Sequence, residues 1–388
     1  MSNEAAWSEG QTVHLDGLTV SLSAPVLVGR SRGYFWFPSV AQLATGDLVA
    51  QIQDHSDVAV ERYNRLACWS LDRGLTWTEP NLVRDGGSST VRLPSGDQLL
   101  MPYVLQPRSG GLGAPYNLIA AGSQTITHIE QEVSVRGWPR PLRPGRYWVT
   151  NKGTVTLDDG THLATLHGYF AGASRASLVV AASTDGVRWT IRSVVADETC
   201  PLPGGDGPSE ADLLQLEDGR LLCVFRLSGW RLYGQSWSSD EGRTWTPAVS
   251  MPAFSVQPSL ATLHGGRTVV LAGGRPGLYL WLDREGTGER WQWFDAQINH
   301  NACHPDEPIR HLYSDKRPDA ITQDWIDADK AKVSRNKRTS SYTELIALDD
   351  SHLLYIYDRL PNGWHPIPAD LDDTNSVWVV RLSIERSG

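Results

Sequence analysis

One arrangement of apolar and polar positions returns six times along the chain: an alternating or apolar run ending in leucine, a short polar turn, and a second apolar run. The copies are LATGDLVAQ from Leu43, LPSGDQLLMPY from Leu93, LDDGTHLATLHG from Leu157, LEDGRLLCVFR from Leu216, LHGGRTVVLAG from Leu263 and LDDSHLLYIYD from Leu348. Successive side chains of a strand point to opposite faces, so this pattern around a Gly, Asp, Asn or Ser turn reads as a β-hairpin. Six hairpins spaced about 50 to 85 residues apart predict a radial array of four-stranded sheets, an all-β six-bladed β-propeller.

A second repeat runs in phase with the first. Ser70–Trp77 and Ser238–Trp245 both read S-x-D-x-G-x-T-W, Ser183–Trp189 is one residue shorter, and Asp283 to Trp291 is a degenerate copy. In such a turn Asp bonds its own backbone, Gly supplies a positive φ and Trp folds back over the hairpin. These turns are expected between the outer strands of a blade, as structural staples. Residues 297–338 fit neither repeat; they are polar and predict an inserted loop with helix around Ile321–Lys332. The C-terminal SVWVVRLSIE predicts a strand that completes a blade begun near Thr19–Val28, closing a single domain over residues 1–388.

Composition adds limits. Thirty-six Gly, 23 Pro and 16 Trp favour turns and flat packing surfaces over long helices, and a net charge of −9 without a basic stripe argues against nucleic acid as partner. Cys68, Cys200, Cys223 and Cys303 show no metal-type spacing and read as buried thiols. No apolar run approaches the roughly 18 residues of a membrane-spanning helix. The polar start MSNEAAWSEGQTVHLDGL lacks a leader's charged end and apolar middle. The expected compartment is therefore cytoplasmic, or the exterior if a leader has been removed. His300, His304 and His311 with Asp306 and Glu307 offer donors for a divalent ion. Pro305 and Pro308 interrupt any helix that would align His300 with His304, so no metal and no cofactor is expected and the loop supplies polar contacts instead.

In a propeller the innermost strand of each blade lines the axis, so equivalent positions of the repeats share one pocket. Six residues before each marker leucine stand Phe37, Gly87, Asn151, Glu210, Gln257 and Tyr342. A carboxylate buried alone in such a row costs several kcal/mol, so Glu210 needs a partner or a wet site. About ten residues after the marker stand Gln53 or Asp54, Tyr103, His167, Arg226 and Asp358, with Arg275 two further on in the fifth copy. Polar groups at both ends of apolar hairpins predict a polar pocket on rigid strands.

The S-x-D-x-G-x-T-W turns resemble the Asp box, or BNR repeat, of the sialidase (neuraminidase) superfamily of six-bladed propellers, and the resemblance spans most of residues 20–386. It implies a glycosidase whose nucleophile is a tyrosine activated by a glutamate. Residue by residue, it places that glutamate at Glu210 and an arginine at Arg226 in PSEADLLQLEDGRLLCVFR. It places the nucleophile at Tyr342 in SSYTELIALDDSHLLYIYD, a second arginine at Arg275 in GGRPGLYLWLDREG, and the acid/base at Asp57 or Asp54 in QDHSDVAVERYNR. A phenol titrates near pH 10, so it needs an adjacent carboxylate to act as nucleophile at neutral pH. Where the family carries its first carboxylate-binding arginine, GYFWFPSVAQL carries Trp36, which suits a sugar ring other than sialic acid. Arg226 and Arg275 still offer fork geometry for a carboxylate.

The function implied is an exo-acting, retaining glycoside hydrolase on a carbohydrate, with an anionic sugar admitted by the arginines. Substrate contacts are expected from Arg226, Arg275, His167, Tyr103, Asn151, Gln257 and Trp36. Two alternatives stay open. His167, Tyr103 and the arginines could serve β-elimination from a uronic acid, or the pocket could bind carbohydrate without chemistry.

Overall fold

All six hairpins are present in the computed structural model, which describes residues 7–57, 63–87, 89–314, 316–317, 320–335 and 338–387. They pair Trp36–Gln42 with Leu48–Gln53, Thr90–Arg92 with Gln98–Leu100, Trp148–Thr156 with His162–Gly168, Ala211–Gln215 with Leu221–Phe225, Ser259–Leu263 with Thr268–Ala272, and Glu344–Ala347 with His352–Arg359. The marker leucine closes its own turn. The Leu43 amide donates to the Asp47 carbonyl at 2.8 Å while Gly46 donates back to the Leu43 carbonyl at 3.0 Å, and Leu93, Leu157 and Leu216 repeat both bonds. Gly46 sits at φ +91°, where a Cβ would be strained.

The S-x-D turns lie between the third and fourth strands of their sheets and carry the expected bonds. Gly74 donates to Ser70 Oγ at 2.7 Å, and Asp72 accepts from the Thr76 amide at 2.9 Å and the Thr76 hydroxyl at 2.6 Å. Residues 238–244 repeat this set at 2.8, 2.8 and 2.7 Å. The Trp77 and Trp189 indoles fold back onto the carbonyls of Gly74 and Gly186, whereas Trp245 reaches across to Ser193 Oγ at 3.0 Å.

Sheet pairing departs from six separate four-stranded blades. The first, fourth and fifth repeats form four-stranded sheets, but the second and third merge into one sheet of nine strands. Ile126–Arg136, at the outer edge of the second repeat, pairs in parallel with Arg188–Ala196 of the third. Val104–Arg108 pairs with both Gly111–Ile119 and Trp148–Thr156, which closes a circuit of seven strands. The second repeat has no S-x-D turn; its outer half is a hairpin of 9- and 11-residue strands. Strands that long overrun their own sheet, and an open edge of unpaired amides takes the nearest partner.

The C-terminal strand Asn375–Arg386 does complete a sheet begun at the N-terminus. Leu18 stands opposite Arg386 and Asn375 opposite Ser31. The N-terminal contribution is three strands, with Glu9–Leu15 beside Leu18–Ser23, and the expected single strand is split into Leu18–Ser23 and Val26–Ser31. The break falls at Pro25, which has no amide hydrogen to give a ladder.

The chain forms two compact units. The first takes the described residues of 1–57, 66–81 and 261–388, the second those of 58–65 and 82–260. Leu263, Val270, Leu280, Tyr355, Trp378 and Leu382 anchor a core in the first unit; Leu99, Trp148, Phe170 and Trp189 anchor one in the second. Cys68, Cys200 and Cys223 are buried free thiols and Cys303 is half-buried. Burial pushes the Cys68 thiol up to about 12.

Within 297–338 the helices are Gln297–Cys303 and Gln323–Arg335, the second shifted a few residues C-terminally from expectation. The prolines do not keep His300 and His304 apart. The first helix ends at His304, just ahead of Pro305, so the His304 amide still bonds the His300 carbonyl at 2.8 Å. Both rings pack on Trp378; His300 bonds Tyr357 Oη at 2.9 Å and the Glu307 carbonyl at 3.0 Å, and His304 bonds the Pro25 carbonyl at 3.1 Å. Among the described residues no group of three or more His, Cys, Asp or Glu side chains is arranged to hold a metal ion.

Candidate functional site

In the first unit, the site residues gather around the end of the strand His352–Arg359. Its Asp358 is fully buried and accepts from Thr339 Oγ1 at 2.7 Å, the Ser340 amide at 2.7 Å, the Ser340 hydroxyl, and the Phe37 amide at 3.2 Å. One carboxylate thus fixes both the segment that leads into Tyr342 and the residue whose ring abuts it. Burial raises the Asp358 pKa, against the pull of these bonds. Phe37 at φ +48° and Ser341 at φ +62° lie in the left-handed region, which non-glycine residues hold only when neighbours over-determine it.

Around this clamp the rings interlock. Phe37 stacks on Trp36 at 4.4 Å and meets Tyr342 edge-on at 4.6 Å, and Trp364 stands perpendicular to both Trp36 and Phe37. The Arg275 guanidinium lies 5.8 Å from the Tyr342 ring centre and 5.7 Å from that of Trp364, within cation–π range. The structure therefore brings Tyr342, Arg275 and Trp36 together. It also revises the part expected of Trp36. That ring is 2% exposed, stacked on Phe37 and bonded through Nε1 to the His55 carbonyl at 2.9 Å, so it packs the cluster instead of offering a face to a sugar. Asp54 is half-buried and Asp57 exposed, both on the segment after Leu48–Gln53.

In the second unit, the first two strands of the third and fourth repeats carry the other cluster. The strand Trp148–Thr156 bulges between Thr150 and Thr154, and buried Asn151 lies in the bulge with Oδ1 2.6 Å from His167 Nδ1. Ala211 pairs with Phe225 as the last rung of its hairpin, and the next residues out are Glu210 and Arg226. Their backbones bond at 2.8 Å, and Arg226 Nη1 donates to Glu210 Oε2 at 2.8 Å; Asp206 stands 3.9 Å from the same guanidinium. The sixteen-residue spacing places the pair across one hairpin end. Burial draws His167 down to about 4, with Glu210 pulling the other way and Arg226 adding to the fall, so the imidazole is neutral at physiological pH. Gln257 is buried beyond the strand Val249–Phe254.

Tyr103 joins neither group. It lines a separate cavity of about 280 Å³ in the second unit, whose wall includes none of Asn151, His167, Glu210 or Arg226. Three structural residues were not singled out as site residues from the sequence. Asp358 stood in the register as the polar end of LLYIYD, a signal that was readable. Asp212, whose carboxylate caps the Leu213 and Leu260 amides at 2.7 and 2.6 Å, was the other polar interruption of an apolar strand. Trp364 belongs to no repeat and had no signal.

No protein-family model and no curated protein matches the chain. Solved structures do, and they define the class of fold first: an all-β architecture shared with sialidases and arabinofuranosidases, at identities low enough that fold alone is what they establish. A protein of unknown function from Dyadobacter fermentans DSM 18053 superposes with a TM-score of 0.64 at 16% identity, covering 96% of this chain and 100% of its own. The Hadza microbial sialidase Hz136 gives 0.60 at 13%, covering 94% and 68%. The α-L-arabinofuranosidase Arb93A from Fusarium graminearum gives 0.56 at 14%, covering 92% and 97%. Among the described residues no helix is long and apolar enough to cross a membrane.

Proposed function

We propose that the chain is a sialidase-like glycoside hydrolase that removes a terminal sugar from a glycan with retention, working as a single six-bladed propeller domain with 297–338 as its insertion. Tyr342 Oη attacks the anomeric carbon as the glycosidic C–O bond breaks; Glu210 takes the phenol proton, and Asp57 or Asp54 protonates the leaving oxygen. Water then releases the sugar from tyrosine with the proton transfers reversed. Arg275 and Arg226 engage the substrate, with Asn151, Gln257 and His167 contributing polar contacts. The observation that carries this reading is Tyr342 itself: a half-buried phenol that follows left-handed Ser341, its amide bonded to the Ser340 hydroxyl that buried Asp358 holds, and its ring within cation–π range of the Arg275 guanidinium. The charge of Arg226 is met within the chain by Glu210 at 2.8 Å, which favours a neutral sugar over an anionic one.

Aryl α-L-arabinofuranosides and sialosides therefore head the substrate screen. On whichever is cleaved, Tyr342→Phe is expected to lower kcat by about a thousand-fold or more and Glu210→Gln by about a hundred-fold or more. Undiminished turnover in Tyr342→Phe would sink the reading. A second reading rests on His167, which burial keeps neutral beside Glu210 and Arg226 and which could abstract a proton α to a uronate carboxylate. Its unsaturated product absorbs in the ultraviolet; a hydrolysis product does not.

A further inference from the structure

We infer that the cavity lined by Tyr63 and Tyr103 is a second carbohydrate site, one that takes a neutral sugar ring through stacking on the tyrosines and hydroxyl bonds to Asp85 and Glu130. The cavity, about 280 Å³, is close to the lower end of the roughly 300–1,000 Å³ typical of small-molecule sites. That size suits one or two sugar rings. Its apolar surface is the tyrosine pair, with ring centres 4.5 Å apart and planes inclined at 45°. Both tyrosines line the cavity, and sugar C–H groups pack on aromatic faces.

The polar wall is built with care. Asp85 holds φ +50°, a left-handed backbone, and is tied down from both sides. Its amide donates to Asn64 Oδ1 at 3.3 Å, and its carbonyl, with that of Arg84, accepts from Asn117 Nδ2 at 3.3 and 2.8 Å. Asn117 is 1% exposed. Because its Nδ2 donates to two carbonyls, its Oδ1 is the acceptor for His128 Nδ1, 3.1 Å away. That bond places the proton of a neutral His128 on Nδ1 and a lone pair on Nε2. Nε2 is buried, bonds nothing among the described residues, and stands 4.0 Å from Asp85 Oδ2 and 3.8 Å from Glu130 Oε1.

The Asp85 and Glu130 carboxylates thus form one acceptor-rich corner of the cavity wall, with His128 Nε2 within 4.0 Å of both. What completes such a corner is a group that supplies hydroxyl protons. Arg84, 3.4 Å from Asp85 and 3.6 Å from Glu130, supplies the donors that a hydroxyl's own lone pairs need. Arg108, also on the wall, is held bidentately by Glu132 at 2.6 to 3.0 Å. No surplus of positive charge faces the cavity, so a carboxylate- or phosphate-bearing ligand is disfavoured. Alternating donors and acceptors beside an aromatic pair match a polyol ring. The inference shares with the proposed function only the class of ligand, and it stands or falls by binding instead of turnover.

The test titrates the full chain carrying Tyr342→Phe with arabinobiose, xylobiose, cellobiose and lactose, followed by saturation-transfer NMR and calorimetry. At least one disaccharide is expected to bind, and Tyr103→Ala, Asp85→Asn and Glu130→Gln are each expected to weaken it about ten-fold. Glu130 is exposed, so Glu130→Gln reports on binding even if the other two variants fail to fold. Binding of none of the four, or binding unchanged in the folded variants, would overturn the inference. A Tyr342→Phe protein that still turns over substrate would defeat the hydrolase reading and leave this one untouched.

Discussion

Asp358 organises the first cluster because it is a carboxylate with no water to turn to. Its bonds reach residues 339–340, which lead into Ser341, and distant Phe37, so one side chain braces two left-handed residues at once. The register drawn from the sequence had Tyr342 and Phe37 at corresponding positions, with Arg275 at the other end of its own hairpin. It did not have the clamp, because a clamp depends on which atoms a buried oxygen meets and not on periodicity. Asp295, half-buried, is a second carboxylate with a measurable consequence. Burial lifts it to about 7, against bonds from the Leu278 and Gln297 amides and the Gln297 side chain. A folded-state pKa above the unfolded value near 4 means the native state binds the proton more tightly, so this group costs stability as pH rises from about 4 to 7. His167 and His300, both drawn down to about 4, act in the opposite sense over part of that window. Asp295→Asn is therefore expected to make the melting temperature climb more steeply between pH 4 and 7 than in the parent protein. Parallel slopes in scanning calorimetry would refute the assignment.

Elements held by local bonds were the legible part. Four of the hairpin turns are closed by both the amide and the carbonyl of their own leucine, and those at Leu263 and Leu348 by one of the two, within five residues of sequence, so the pattern alone locates them. The S-x-D turns are local in the same way, and one of them offers a clean test. Gly74 sits at φ +99° with the Trp7 ring and Leu354 about one Cβ contact away, at 3.2 and 3.3 Å. Gly74→Ala is expected to lower stability by about 1–3 kcal/mol, read as a shifted urea midpoint with unchanged slope; an unmoved midpoint would mean the turn relaxes freely. What escaped the sequence is the joining of the second and third repeats. Ser134 meets Arg188 and Val104 meets Val149 because two edges lie within reach, and nothing in either strand's own pattern records where its neighbour's edge ends.

At the scale of the whole chain, the first unit draws on residues from both ends of the sequence while the second is nearly continuous. The strand Asn375–Arg386 is the central rib of the six-stranded sheet: it pairs with His352–Arg359 on one side and with Leu18–Ser23 and Val26–Ser31 on the other. Ending the chain after Thr374 removes that rib, leaves Val26–Ser31 without a partner and strips one side from Leu18–Ser23 and His352–Arg359. Such a truncation is expected to abolish cooperative melting of the first unit, followed by circular dichroism. A truncated protein with the parent melting temperature would show that the rib is dispensable.

That rib also sets an order of events in time. A ribosome delivers Leu18–Ser23 and Val26–Ser31 well before their partner strand Asn375–Arg386, so the edges that meet it stay open while the segment between is made. The segment 82–260 emerges in between and carries its own pairings within itself. Closing the first unit means bringing together the two most distant stretches of the sequence, the slowest kind of pairing a chain can make. In the cell, these two strands are thus the segment most in need of shelter from other chains until Asn375–Arg386 emerges.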